Sequence, residues 1–433
     1  MPSPIPAPVI SDDHPLRQPL SDLMHEREIP VTRAPVTLRS WVYLVPPSAR
    51  AAETAWVNAL DADGSGAAER WRLATTDEAG GAMWERHGEF STWLKFSHDT
   101  PKAYGRSSLG FDAITAADFA WLEGAAGEVF RSVEIAVLPH APKPEHLNQF
   151  IGLQQAVCCD VFGGAARIWS DFRLHPKDNE PGAGRIYVQD KGLKNDELSR
   201  LLQTLLEIGN YRKLALLGFP VARALFAWLP EAEARLARIT ADMAGDQPSR
   251  ADILDQLLAL SAEVETRVNE VRFRQGATEA YYRLTMDRLS ALREQRVEGF
   301  STMQEFIERR LTPAMRTCEA AFRRLDDLST RIARASDLLR AKISIGLDLQ
   351  NQDLLKSMNL RSALQIKMQG LVEGLSVFAV SYYIFHLVKY LLEPVVGHGP
   401  QAAWLNAGII LVILVLAWGF IYHKKKAISH DDL

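Results

Sequence analysis

The sequence predicts an α+β cytoplasmic domain, then a long antiparallel helical stalk, then two C-terminal transmembrane helices. Three observations carry this. Charge is unevenly spread: residues 1–250 hold 26 Lys+Arg against 32 Asp+Glu, residues 251–368 hold 19 against 17, and residues 369–433 hold 4 and 4 among mostly apolar neighbours. Across 251–368 the apolar residues recur at steps of three and four, the period of a helix face or coiled-coil seam. Residues 402–422 form a run of 21 without a charge, which at 1.5 Å per residue matches a hydrocarbon core of about 30 Å. The predicted divisions are therefore 1–250, 251–368 and 369–433.

The overall averages hide this division. A chain of 433 residues with 47% hydrophobic and 24% charged residues has the composition of two or three ordinary folding units and excludes wholesale disorder. A net charge of −4 and a pI near 6.3 argue against a dedicated nucleic-acid binder. Three cysteines, Cys158, Cys159 and Cys318, give no disulfide framework, as in a reducing compartment. The opening MPSPIPAPVISDDHPL lacks the basic and apolar segments of a secretory signal, so 1–250 are expected in the cytoplasm.

In 1–250, alternation and β-branched or aromatic residues predict strands at 36–45, 89–97, 133–138, 156–162, 166–174 and 185–189. Gly163-Gly164 reads as a hairpin turn. Helices are expected at 49–60, 116–125 and 198–229, the last interrupted at Gly218-Phe219-Pro220 and closed by Pro230. Residues 61–66 and 177–184 read as loops.

Motifs for chemistry are sparse. The chain has no phosphate-binding G-x-x-x-x-G-K-[ST] loop, no G-x-G-x-x-G, no H-E-x-x-H and no G-x-S-x-G, so no catalytic residue is assigned and the chain is not expected to be an enzyme. His14 and His25, with Asp12, Asp13 and Glu26, lack a diagnostic metal spacing. His98-Asp99 is a similar weak pair. Asp171 and Arg173 read as a structural ion pair. Cys158 and Cys159 on one strand face opposite ways, one of them buried, and neither has a visible cation to activate it.

In the middle region one apolar series runs through Ile253, Leu257, Leu260, Val264, Leu289, Leu292, Phe300, Met303 and Ile307. A second runs through Phe322, Leu325, Leu328, Ile332, Leu339 and Ile343. Asp246-Gln247-Pro248-Ser249 marks a helix start. Thr312-Pro313 fits an N-cap followed by Pro at the first helical position, so a reversal is expected there, with antiparallel arms. The 16 Arg, 3 Lys and 17 acids of 251–368 read as solvated faces laced with ion pairs. After Pro313 nothing stops the helix before Pro394, since Gly346, Gly370 and Gly374 only weaken it. A continuous helix of that length would run on the order of 118 Å.

Residues 371–392 form the first candidate span and 402–422 the second. The linker between them contains Pro394, Gly397, Gly399 and Pro400 and no Lys or Arg. Arg361 and Lys367 flank the first span and Lys424-Lys425-Lys426 the second, so both termini are expected on the cytoplasmic side. Gln365, Gln369, Glu373, Ser376 and Tyr383 fall on one helix face, as glue between helices or as the lining of a pore. Gly370 and Gly374 form G-x-x-x-G, suited to close helix packing.

Several stretches then carry a resemblance. They are His14-Pro15-Leu16-Arg17, GGAARIWSDFRLH at 163–175, LLEIGNYRKLALLGFPVAR at 205–223, RFRQGATEAYYRL at 272–284, RRLTPAMRTC at 309–318 and LVEGLSVFAVSYY at 371–383. On these the chain resembles the bacterial membrane-anchored family of unknown function numbered thirty-four twenty-two, differing at His25-Glu26-Arg27. That resemblance implies a bacterial inner-membrane protein without an assigned activity. In architecture the chain is also similar to the CorA-type metal-ion channel superfamily, which implies a homo-oligomer, a pentamer by analogy, with the first span lining a cation path. A ring of Glu373 would attract a divalent cation. Where that superfamily has Gly-Met-Asn, this chain reads Lys389-Tyr390-Leu391-Leu392-Glu393-Pro394, which argues against magnesium selectivity. The alternative is a non-conducting scaffold or sensor, anchored in membrane lipid and docking a cytoplasmic protein partner.

Overall fold

The structure, a computed structural model, describes residues 14–22, 29, 31, 33–60, 71–76, 80–98, 109–111, 113–115, 118, 122–177, 180–245, 249–396 and 400–428. The chain divides into two compact units, Met1–Arg334 and Ala335–Leu433. Expectations at Asp12, Asp13, His25, Glu26, 61–66, Asp99, Asp246-Gln247-Pro248, Gly397 and Gly399, and over most of 116–125, lie outside the described residues.

The first unit is α+β. Its strands are β1 (Val36–Leu44), β2 (Trp71–Thr76), β3 (Gly80–Arg86), β4 (Phe90–Ser97), β5 (Glu128–Leu138), β6 (Val157–Val161), β7 (Ala166–Ser170), β8 (His175–Lys177), β9 (Glu180–Asp190) and β10 (Gln295–Arg296). Among the described residues they form one mixed sheet, ordered β10-β6-β7-β9-β5-β1-β4-β3-β2, with β8 on β9. The pair β5–β9 is parallel; the other named pairs run antiparallel. The helices are α1 (Arg17–Asp22), α2 (Arg50–Leu60), α3 (Pro144–Phe150), α4 (Asn195–Ala215), α5 (Gly218–Asp242), α6 (Arg250–Ala291) and the first part of α7 (Met303–Val396).

Alternation sorts the strand residues between the two sheet faces. On one face Trp41, Tyr43, Trp84 and Trp93 pack with Val57 of α2. Further along it Ala136, Leu138, Trp169 and Tyr187 pack with Leu147 of α3 and with Phe111. On the other face Val42 and Phe90 pack against Tyr211 and Leu214 of α4, with Tyr281 and Leu284 of α6 beside them. The central strand β1 is thus covered on both sides, and its polar residues Thr37, Arg39 and Ser40 are buried with its apolar ones.

Several expectations are corrected. Residues 180–184, expected as part of a loop, belong to β9, which begins at Glu180. Its glycines allow close approach: a Cβ on Gly182 would lie 3.2 Å from Leu174 Cβ. The hairpin β2–β3 was hidden for a related reason, since Gly80-Gly81 has the composition of a loop but opens a strand. The break at Gly218 is present, whereas Pro230 lies inside α5, which continues to Asp242. The helix retains Leu229, Ala232, Leu236 and Ile239 as a buried stripe, and that burial offsets the lost backbone hydrogen bond. Strand β6 is covered on both faces, so Cys158 and Cys159 are both buried. Burial pushes both thiols up, Cys158 to about 12.

The helix reversal does not fall at Thr312-Pro313, which lies within α7. It falls between Ala291 and Met303, where Arg293 takes φ 49° and β10 pairs with β6. The decisive signal is a capping box at Thr302 and Glu305. Thr302 Oγ1 accepts from Glu305 N at 3.1 Å, and Glu305 Oε2 accepts from Thr302 N at 3.2 Å. Past Pro313 the helix is held by its buried face, with Leu311, Met315, Cys318, Phe322, Leu325, Leu328 and Ile332 in register. Arg324 of α7 makes a two-pronged ion pair with Glu233 of α5, at 2.7 and 2.6 Å.

An ion pair on β6–β7 gives a pH test. Asp160 accepts from Arg167 Nε at 2.7 Å and from Lys191 Nζ at 2.8 Å. The Arg167 bonds, helped by Lys191, hold the Asp160 carboxyl down to about 2. Because the folded value lies below the unfolded one of about 3.9, this stability is complete above roughly pH 4 and disappears as pH falls through about 2. Both cations are partly solvated, so about 1 kcal/mol is expected. Urea midpoints of wild type and Arg167→Met should differ at pH 5 and converge near pH 2; a constant offset would contradict the assignment.

In the second unit, α7 continues to Val396 and α8 covers Pro400–Ile428. By length and composition, 196–242 and 303–391 are helical stretches apolar enough to cross a membrane, and 407–420 is a shorter apolar one. The first is α4 and α5, broken at Leu216-Leu217, with Leu201, Leu205, Ile208, Leu214, Leu225 and Leu229 in the core of the first unit. No residue of the apolar window of 303–391 is buried.

Candidate functional site

Polar residues on an apolar helix need partners, so the row predicted on α7 comes first. Gln365, Gln369, Glu373, Ser376 and Tyr383 are all exposed in the single chain. In the apolar part of α7 the half-buried residues are Val377, Ser381, Phe385, His386 and Val388, and on α8 they are Ile409, Ile413, Ala417 and Gly419. Apart from His386 and Gly419, they recur at steps of three and four and mark the more covered face of each helix. At 100° per residue the polar row lies about 125° around α7 from that face. The structure therefore places the five polar residues together, on one helix face pointing away from the covered one. Ser376 Oγ donates to Val372 O at 2.8 Å, a local helical bond. Gly370 and Gly374 continue the covered face, yet a Cβ added at either meets nothing within 4 Å.

The first unit holds two groups of buried charge. One is a row across three neighbouring strands, where register sets Arg39 of β1 beside Glu134 of β5 and Glu134 beside Arg185 of β9. Arg39 Nε lies 3.6 Å from Glu134 Oε1, and Arg185 Nε lies 3.5 Å from Oε2. The Arg185 guanidinium also sits 5.4 Å from the ring centres of both Phe111 and Phe150. Near the end of this face Asp171 is buried, accepting from Gly152 N, Arg173 N and His175 Nε2. The expected Asp171–Arg173 ion pair is corrected here. The Arg173 guanidinium bonds Gln155 Oε1, and the side chain beside the Asp171 carboxylate is the His175 imidazole, its Nε2 at 3.1 Å from Oδ1.

The second group lies on the opposite sheet face, toward α4. Arg131 of β5 is 6% exposed and donates to Asn210 Oδ1 at 2.6 Å. Its guanidinium crosses α4 at Gly209, where an added Cβ would sit 2.0 Å from Arg131 Nη2. The next turn of α4 brings Arg212 and Lys213. Arg212 stacks on Phe172 at 4.5 Å, and Lys213 lies 5.9 Å from the Phe130 ring centre. Burial, and then mutual repulsion, push Arg131 down to about 9 and Lys213 to about 8; burial pushes Arg212 to about 10. These three side chains line one pocket with Phe172, Arg173, Arg185 and Met303, and among the described residues no carboxylate lines it.

Sequence reasoning passed over this cluster, although one signal was legible. Arg212 stands seven residues after Leu205 and four after Ile208, so it occupies a core-facing position of α4. Arg131 fell just before the predicted strand start at 133. Elsewhere, His14 Nδ1 accepts from Leu16 N and His98 Nδ1 lies 3.1 Å from Pro35 O. Among the described residues no group of three or more His, Cys, Asp or Glu is placed to hold a metal.

The fold and these sites define an α+β protein with buried cations in its core and a C-terminal pair of exposed, strongly apolar helices. The chain belongs to the family described as Protein of unknown function (DUF3422), whose model matches residues 12–428. None of the curated proteins matches it.

Proposed function

We propose that this chain is a homo-oligomeric integral protein of the bacterial inner membrane, spanning it with 371–392 and 402–422 and keeping both termini in the cytoplasm. In this reading it resembles CorA-type channels and acts as a cation conduit without the Gly-Met-Asn signature. One observation carries it: Gln365, Gln369, Glu373, Ser376 and Tyr383 form an exposed row on an apolar helix, turned away from the face covered within the chain. Polar groups in a membrane helix face a bundle interior or a wet cavity. Two helices cannot enclose a path, so the row and the open Gly370-x-x-x-Gly374 surface call for further copies of the chain, most simply in a ring.

Glu373 is the one carboxylate of the row, and as a ring it would concentrate cations at the pore mouth. Cation flux into proteoliposomes should fall at least tenfold in Glu373→Ala while the detergent-solubilised oligomer keeps its mass. Equal flux in both, or a monomer in detergent, would overturn the conduit. The second reading is a non-conducting anchored scaffold or sensor that docks a cytoplasmic partner. It is favoured by the absence of the signature at 389–394 and by the carboxylate-free cation cluster of the first unit. An intact oligomer with no flux in either protein would select it.

A further inference from the structure

We propose that Arg131, Arg212 and Lys213 form a binding site for a phosphoryl group or a similar tetrahedral oxyanion, a site independent of whether the membrane helices conduct. Burying a charge without a counter-charge is costly, and native proteins pair or neutralise such groups. Here Arg131 of β5 and Arg212 and Lys213 of α4 share one pocket, whose lining also includes Arg173 and Arg185. Among the described residues, Arg131 meets the neutral Asn210 amide, Arg212 the Phe172 ring and Lys213 the Phe130 ring. Aromatic faces stabilise a cation but leave its hydrogen-bond donors directed elsewhere. The guanidinium donors and the ammonium suit an oxyanion, for which charge-assisted bonds are the strong ones.

Two features point to a built site. Gly209 leaves the space through which the Arg131 guanidinium passes, since a Cβ there would sit 2.4 Å from its Cζ. The Asn210 amide then fixes the orientation of that guanidinium. The cavity volume is about 40 Å³, room for a few water-sized groups. That admits a single phosphoryl head and excludes the body of an organic ligand. Arg173 at the rim is exposed, and through that side the remainder of a larger ligand would extend.

One chemistry has two sources here, free inorganic phosphate or a phosphomonoester lipid head. The full chain in detergent is titrated with inorganic phosphate at constant ionic strength, following thermal unfolding and calorimetric heat. In parallel, flotation measures its association with phosphatidylcholine vesicles with and without phosphatidate. Phosphate should raise the unfolding temperature of wild type in a saturable way. The apparent affinity should fall at least tenfold in Lys213→Gln and in Arg212→Gln. Lys213 is half-buried, so Lys213→Gln serves if Arg212→Gln does not fold. Competition by free phosphate for phosphatidate vesicles identifies the lipid head as a source; phosphate binding without vesicle preference identifies the free ion. No saturable response to either probe, or a response unchanged in Lys213→Gln, overturns the site. Neither outcome depends on flux or oligomer mass, so it fails or stands apart from the conduit.

Discussion

Glu134→Ala is expected to destabilise the first unit by about 3–5 kcal/mol, the usual cost of removing one partner from a buried ion network. Glu134 is 2% exposed, and Arg39 and Arg185 flank it in register on both neighbouring strands. Without the carboxylate, the buried Arg39 and Arg185 guanidiniums both lose the charge that Glu134 sets against them. A loss of this size should lower the tryptophan-detected unfolding temperature of the full chain by on the order of 10 °C. The apolar replacement Arg39→Met/Glu134→Leu/Arg185→Met should recover most of the loss, because exchanging a whole buried network for hydrophobic side chains of similar volume is often neutral. A Glu134→Ala protein within about 1 kcal/mol of wild type would show that the row is solvated or has another counter-charge.

The second large effect concerns the helix junction at Gly218. A Cβ added there would lie 2.3 Å from Thr278 Oγ1 and 2.9 Å from Thr278 Cγ2. Thr278 is buried on α6, so the two helices must separate to admit even a methyl group. Gly218→Ala should cost about 2–3 kcal/mol from overpacking. Thr278→Ala alone should cost under about 1 kcal/mol, because its buried hydroxyl has no hydrogen-bond partner among the described residues. The double variant Gly218→Ala/Thr278→Ala should then be more stable than Gly218→Ala by about 1–2 kcal/mol, a coupling expected only of residues in contact. Urea unfolding of the four proteins reads that coupling directly, and strict additivity would place the strain elsewhere.

Much of the local structure was legible from residue patterns. The apolar series Ile253, Leu257, Leu260 and Val264 on α6 is buried as its spacing requires, as are Phe322, Leu325, Leu328 and Ile332 on α7. The break at Gly218 and the strands near 36–45, 89–97 and 156–162 also followed from composition and alternation. The reversal was misplaced because Thr312-Pro313 matches an N-cap with Pro at N1 as well as Thr302 and Glu305 match a capping box. Only the packing of Leu311 and Met315 decides between them. In the candidate sites the polar row on α7 was visible as a helical period, because it depends on one helix alone.

The charged interior was not visible, for a different reason. Alternation states that Arg39 and Glu134 share a sheet face with Trp41 and Ala136, but not that helices and loops cover that face. A charge at a strand position reads as solvent-facing until a second layer is laid over it. The parallel pair β5–β9, joined through β6 and β7, is likewise a matter of long-range register and not of local propensity. Neighbours along the chain therefore carried most of the elements, the apolar helical pair and the polar row, but not the β2–β3 hairpin or the place of the reversal. The tertiary structure decided that Arg131, Arg212 and Lys213 meet, and that they do so among aromatic rings with no carboxylate of the described residues lining their pocket. Burial and charge pairing are set by residues distant in sequence, and no local pattern records them.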